Sequence, residues 1–442
     1  MASPRTARTG GTTRRHDIDN LRAFLTSLVV VHHAAIPYGG VGVPYLKSEI
    51  FQGRSPILIA FNTINQSFFM GLFFWLSGRM SAQSLARTSP GVFLRDKLIR
   101  LGLPALAYTL ISVPLTLVIA SPHWDLESAS RIVLDYWGKL NGVKGSAWYA
   151  ATLLVFDSFA ALLAWRAAQR RGESSKHDSG SLASLLYRLT ASGRLETWGW
   201  LGVAVASFLI RTRFPLGQGK DWTPLNLNLS HAPQYIFAYV LGYQSLVTSR
   251  PRLYGPFDAR GGKVKVEARG SDAEQAGLSL PTAILVSLAT LIFTAVPVVV
   301  TLGLGGFVPK ILSLAPGGWN TVAFLYALWN ELSFMTIAPA LMVYFQRWHN
   351  QPVKSWWWQP RYSYATYLVH NLVGIALGVG TEVLFQQLAS TSAGMKTALS
   401  GAVWKTAGPP SLTAVVGITQ LFLSFAVARG LVHSFPSLRK IL

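Results

Sequence analysis

Asp17-Ile18-Asp19-Asn20-Leu21-Arg22 runs without a break into the apolar stretch Ala23 to Val31 and ends on His32-His33. The segment opens charged, turns apolar and carries a histidine pair deep into what reads as a membrane span. On a helix, the eleven residues from Arg22 to His33 amount to about 20° around the axis and about 16 Å along it. The two therefore share one face three turns apart, with His32 about 80° off it. A permanent cation at the membrane surface and an imidazole near the bilayer centre lie on one stripe. Ionisable groups inside a bilayer are costly and mark functional positions. The alternative is a hydrogen-bonded histidine that only fixes helix contacts.

The 442 residues are 50% hydrophobic and 13% charged, half the charge of an ordinary soluble domain. Apolar segments recur near 21–38, 57–78, 101–120, 147–165, 197–210, 232–248, 281–304, 319–345, 362–388 and 411–432. Each is long enough, or nearly so, for the ~20 residues that cross a bilayer, the fifth being the shortest. The expected fold is all-α: a polytopic integral membrane helix bundle of about ten transmembrane helices. Residues 17–435 form one membrane domain with hydrophilic cytoplasmic loops near 166–196 and 249–279. Residues 1–16, basic and free of acid, form a disordered cytoplasmic tail.

The net charge of +21 invites a nucleic-acid reading. Its distribution argues otherwise. Counting loops alternately from the N-terminal tail, one side holds 28 Lys/Arg and the other 11. That bias orients a ten-span protein in a lipid bilayer with both termini cytoplasmic, and no nucleic acid is expected. The absence of cysteine excludes disulfides, thiolate metal sites and a cysteine acyl-enzyme.

Polar residues punctuate the spans. Span two carries Asn62, Asn65 and Gln66, which need partners inside the bundle, and then Phe73-Phe74-Trp75-Leu76-Ser77-Gly78-Arg79. Ser77-Gly78 permits a close backbone approach. Lys97 and Arg100, one turn apart, stand at the mouth of span three, ahead of Pro104. Ala147-Trp148-Tyr149 opens span four with interfacial aromatics, and Asp157 sits near that span's midpoint. Trp329-Asn330-Glu331 falls mid-bilayer in span eight. In span nine, Ser363, Thr366, Tyr367 and His370 form one polar stripe, a ligand-facing wall or a helix–helix seam. There is no phosphate loop, dinucleotide fingerprint, nucleophile elbow or zinc-ligand pattern, so no metal is expected.

Taken in order, these elements resemble the acyltransferase 3 family, the ten-helix membrane enzymes that O-acylate sugars and other hydroxyl compounds. The resemblance rests on Arg22 with His33, on Phe73 to Gly78, and on the basic run to Arg100 and Pro104. It rests further on Ala147-Trp148-Tyr149 and on Ser363-Tyr364-Ala365-Thr366-Tyr367-Leu368-Val369-His370. It implies a cytoplasmic acyl-CoA donor, with acetyl-CoA the simplest case, and a hydroxyl-bearing acceptor. The family often places an Arg-x-Arg pair ahead of helix three, where this chain has Lys97 and Arg100. On this reading His33 is the general base, and Glu331 or Asp157 orients it if the bundle brings either close. Arg22, Arg79, Lys97 and Arg100 meet the donor phosphates, while Asp157 and His370 are candidates for the substrate site. The competing class is a proton-coupled transporter using His33, Asp157, Glu331 and His370 as a relay.

Overall fold

The charged opening of the first span becomes the first turn of helix α1 (His16–Ala35). Asp17 and Asp19 lie there, where unpaired backbone N–H groups favour negative charge. Arg15 clamps the Asp17 carboxylate with Nε and Nη2, at 3.0 and 2.5 Å. Asn20 donates to the carbonyls of His349 and Gln351, tying this turn to a distant loop.

The computed structural model describes residues 15–442 except 43–45, 47, 52, 123, 173–193, 218–221, 248–278, 283, 287, 290–312, 392–393, 395–396, 398–400, 436–437 and 442. Nearly all of the expected basic tail, the larger parts of both long loops and most of the expected seventh span lie outside the described residues. The remainder is helical, with no strand among the described residues. After α1 come α2 (Pro56–Leu85), α3 (Pro90–Lys97), α4 (Leu103–Ala107), α5 (Val113–Ala120), α6 (Leu126–Gly138) and α7 (Ala147–Gly172). They are followed by α8 (Arg194–Arg211), α9 (Ala232–Val247), α10 (Thr321–Trp348), α11 (Ser363–Thr391), α12 (Ala402–Ser434) and the short α13 (Leu438–Ile441).

Six stretches among the described residues are long and apolar enough to cross a membrane: α2, Pro90–Ala120, Ala147–Arg166, α10, Pro360–Thr391 and α12. Helices α1, α8 and α9 occupy the expected first, fifth and sixth spans without meeting that measure. Helix α1 begins with charged residues, the apolar part of α8 is only Trp198–Arg211, and α9 has 16 residues.

Pro90–Ala120 shows how the backbone is satisfied where proline interrupts a span. Pro104 and Pro114 lack an N–H and crowd the carbonyls four residues back. The helix widens into π turns at Leu98–Gly102 and Tyr108–Ser112, just ahead of each. Proline at 114 leaves the Leu110 carbonyl without its usual partner, and the Trp137 indole N–H donates to it at 3.1 Å. The Tyr136 hydroxyl donates to the neighbouring Thr109 carbonyl at 2.8 Å. Helix α6, capped by Asp125 on the Ser128 N–H at 2.8 Å, is thereby docked on the span. That same hydrogen bond holds the Asp125 carboxyl below its ordinary range.

Helices α2 and α9 approach most closely at two glycines. A Cβ at Gly78 would collide with the Tyr239 carbonyl, and one at Gly242 with the Trp75 carbonyl. Only hydrogen side chains fit there, which is how apolar helices gain contact without a hydrophobic drive between them. The close approach expected at Ser77-Gly78 is present. So is the inward orientation of the span-two amides: Asn62 and Asn65 are buried, and Gln66 donates to the Tyr235 hydroxyl at 3.3 Å.

Candidate functional site

Helix α1 presents its two histidines to different neighbours. The His32 ring lies 5.0 Å, centre to centre, from Phe69 of α2. The His33 ring lies 5.0 Å from His370 of α11. The offset of about 100° between consecutive helical residues produces this division. The His33 Nδ1 is 2.8 Å from the Val29 carbonyl, one turn back. A carbonyl only accepts, so Nδ1 carries the proton and Nε2 of the neutral ring keeps its lone pair. His370 repeats the arrangement, with Nδ1 2.6 Å from the Tyr367 carbonyl. Its buried Nε2 has no hydrogen-bond partner.

His33 lines a small open cavity, of about 50 Å³, between α1, α11 and α12. Tyr38, Leu46, Asn371, Gly374, Gly378 and Gln420 complete much of the wall. Gln420 donates to the His370 carbonyl at 2.9 Å, and a Cβ at Gly374 would strike the Gln420 amide. Asn371 donates to Ser146 Oγ at 2.8 Å and to the Tyr108 hydroxyl at 3.2 Å, joining α11 to the starts of α7 and the second π turn. The polar stripe of the ninth span, Ser363, Thr366, Tyr367 and His370, is buried throughout; the cavity wall on this helix is made by Asn371, Gly374, Ile375 and Gly378 beside it.

A run of rings leads from this cavity toward Arg22. His370 lies 5.7 Å from Tyr367, Tyr367 lies 5.8 Å from Tyr149, and Tyr149 acts electrostatically on Arg22. The Tyr149 hydroxyl and Ser77 Oγ are 2.7 Å apart. Trp148 stacks on Tyr235 at 5.5 Å. Tyr149 is buried and Trp148 half-buried, both turned toward the bundle, where the Tyr149 hydroxyl finds its polar partner.

The basic residues divide. Arg22 is half-buried, and its guanidinium makes no hydrogen bond or ion pair among the described residues; Arg100 is exposed. Arg79 is buried and donates to Ser245 Oγ at 3.1 Å. Lys97 has its ammonium engaged, 2.8 Å from Asp157 Oδ2 and 2.9 Å from Ser81 Oγ. The fully buried Asp157 also accepts from Ser81 and Tyr239, each at 2.6 Å. This four-residue network joins α2, α3, α7 and α9. Asp157 therefore pairs with Lys97 and not with His33, and it lies outside the cavity.

Glu331 does not reach His33 either. It is fully buried on α10, where Oε1 accepts from Asn330 at 3.0 Å and from Ser207 at 3.4 Å. Its charged neighbour is Arg211, which ends α8. Arg211 lies one residue past the expected fifth span, 197–210, and the structure buries it completely. Arg211 closes the shortest span, and nothing in its local sequence separates a snorkelling cation from a buried one. Gln420 and Asn371 were legible in principle as amides in apolar spans; Tyr38 carried no such signal. Among the described residues no group of His, Asp and Glu has a metal-ligand arrangement.

No curated protein and no solved structure matches the chain. The family model of the acyltransferase 3 type, described as an acyltransferase domain, does match, over residues 15–429. With that match spanning nearly the whole of an all-helical, multi-pass membrane protein, the chain belongs to the acyltransferase 3 family.

Proposed function

We propose that this membrane acyltransferase moves an acyl group from cytoplasmic acyl-CoA to a hydroxyl of an acceptor seated in the His33 cavity. The observation that carries the reading is the His33 imidazole, its Nδ1 fixed on the Val29 carbonyl and its ring on the cavity wall. An imidazole with a free Nε2 lone pair suits removal of a hydroxyl proton near neutral pH. The acceptor oxygen attacks the thioester carbonyl carbon, and His33 Nε2 takes the hydroxyl proton. The C–S bond then breaks, CoA leaves as thiolate, and the imidazolium returns the proton to sulfur. His370, with its own unpartnered Nε2 alongside, takes the place expected for a carboxylate beside the base.

Arg22 and Arg100, which have no ion-pair partner among the described residues, are the cations offered to donor phosphates, while Arg79 is engaged by Ser245 of α9. A pantetheine arm extended beside Tyr149 and Tyr367 would span the three helical turns to His33. The test is release of free CoA from acetyl-CoA by the purified chain in nanodiscs, with and without a panel of hydroxyl compounds. Acceptor-dependent release that vanishes in His33→Ala is the expected result. Release that ignores acceptor, or persists in His33→Ala, overturns the reading.

A further inference from the structure

The face of α11 that lines the His33 cavity continues past it to a carboxylate. Asn371, Gly374, Ile375 and Gly378 line the cavity. At 100° per residue, Glu382 falls within about 20° of Asn371 and Ile375 and about 40° of Gly378. A helical side chain leans toward the N-terminus of its own helix, so Glu382 covers the turn that holds Gly378, on the side of His370. The loop after α1 closes over the same place: a Cβ at Gly378 would meet Leu46 Cδ2 at 2.7 Å. Glu382 also acts electrostatically on Tyr38, which belongs to the cavity wall.

Glu382 is more than nine-tenths buried, yet only half of its carboxylate is used. Oε2 accepts the Glu49 N–H at 3.1 Å. Oε1 has no hydrogen-bond partner, and no cation among the described residues forms an ion pair with the group. Nearby donors are committed elsewhere. The Thr381 hydroxyl donates to the Leu377 carbonyl at 2.8 Å, and Gln386 Nε2 to the exposed Glu49 carboxylate at 3.3 Å. Arg54, in the loop after α1, donates to the Gly40 carbonyl. A buried carboxylate oxygen without a partner carries a desolvation penalty that an incoming cation removes. An anion would meet like charge there. A hydroxyl would donate one hydrogen bond and leave the charge uncompensated, whereas an ammonium group supplies both.

We infer that Glu382 is a cation-recognition subsite at the mouth of the His33 cavity, so that the molecule entering there carries an ammonium group besides its hydroxyl. The subsite rests on the reading of that cavity as the acceptor's, and it adds the acceptor's charge and shape. Glu382 lies twelve residues, about 18 Å, along α11 from His370, whose ring adjoins that of His33. Cation and reacting hydroxyl therefore sit well apart on an extended molecule. Gly374, Gly378 and Leu46 line the wall between them.

The experiment uses the full chain in a nonionic, sugar-free detergent. The probes are the glucosamine trimer with its amines protonated and the N-acetylated trimer, neutral on the same backbone. Ligand-observed NMR measures binding, and CoA release from acetyl-CoA is followed with each probe at one subsaturating concentration. Saturable binding of the cationic trimer, at least about tenfold tighter than that of the neutral one, is expected, as for a hydrogen bond to a charged group. Glu382→Gln keeps the shape and the Glu49 contact and should remove the preference. Glu382→Asp draws the charge back by one carbon and serves if Glu382→Gln does not fold; it should weaken binding of the cationic trimer and leave the neutral one unchanged. Glu49→Gln, on the exposed rim, should matter less than about threefold. Added phosphatidylethanolamine tests a lipid-borne ammonium: competition that Glu382→Gln abolishes assigns the subsite to a headgroup, and no competition assigns it to a free cation. Equal binding of the two trimers, a preference that survives Glu382→Gln, or one lost equally in Glu49→Gln overturns the inference. CoA release separates this from the acyl-transfer reading. Glu382-dependent binding without release by any hydroxyl compound removes that reading and leaves the subsite, whereas equal release with both trimers keeps the reading and removes the subsite.

Discussion

The imidazoles of His33 and His370 stand 5.0 Å apart, and each is tied through Nδ1 to a carbonyl of its own helix. Two helices far apart in the chain thus bring two Nε2 lone pairs to one place, with no carboxylate between them. His33→Ala should remove transfer by about 10²–10⁴-fold, the usual cost of losing a general base. His32→Ala, whose ring packs on Phe69, should cost far less, and His370→Ala should fall between. Single-turnover acyl transfer at matched protein amounts measures all three. An inactive His32→Ala beside an active His33→Ala would contradict the assignment.

Asp157 is predicted to be structural. Asp157→Ala strands the Lys97 ammonium, Ser81 and Tyr239 around a vacated carboxylate site. Breaking a buried pair in this way costs about 3–5 kcal/mol. Replacing both charged partners, Lys97→Met with Asp157→Leu, should recover part of the loss. Unfolding midpoints of the three proteins decide the matter. A wild-type midpoint in Asp157→Ala would show that the network contributes nothing to stability.

Arg22 should affect the donor and not the fold, because its guanidinium has no hydrogen bond to lose. Arg22→Ala is expected to weaken acyl-CoA binding by about 1.5–3 kcal/mol, the worth of a hydrogen bond to a charged group. Its melting temperature should stay at the wild-type value. Equilibrium binding of a non-hydrolysable acyl-CoA reports this, and undiminished affinity sinks the donor assignment.

The α2–α9 contact depends on two missing side chains. Gly242→Val puts three carbons into the Trp75 carbonyl, and overpacked cores typically lose about 1–3 kcal/mol or more. Gly430→Ala on α12, where a Cβ meets nothing within 4 Å, is the matched control. Equal stability of the two variants would refute the contact.

The chain has no cysteine, so single introduced cysteines report topology without background. Asp96→Cys and His349→Cys should react with impermeant maleimide only from the cytoplasm, and Lys139→Cys only from the other side. Labelling of Lys139→Cys and Asp96→Cys from one side removes the orientation inferred from the basic loops.

Local sequence determined the helical membrane class, the positions of most spans, the inward faces of Asn62 and Gln66, and the separate directions of His32 and His33. Those properties depend on hydropathy and on helical period, which act over a few residues. The partners of the buried charges were decided by tertiary structure alone. Asp157 and Glu331 look alike in sequence, each a lone acid mid-span, yet one closes on Lys97 and the other stands near Arg211. Burial of a charge is an interaction between helices distant in sequence, so no periodicity announces it. Arg211 is the clearest case: the same residue at a span's end snorkels to water on one helix packing and is sealed among aromatic rings on another.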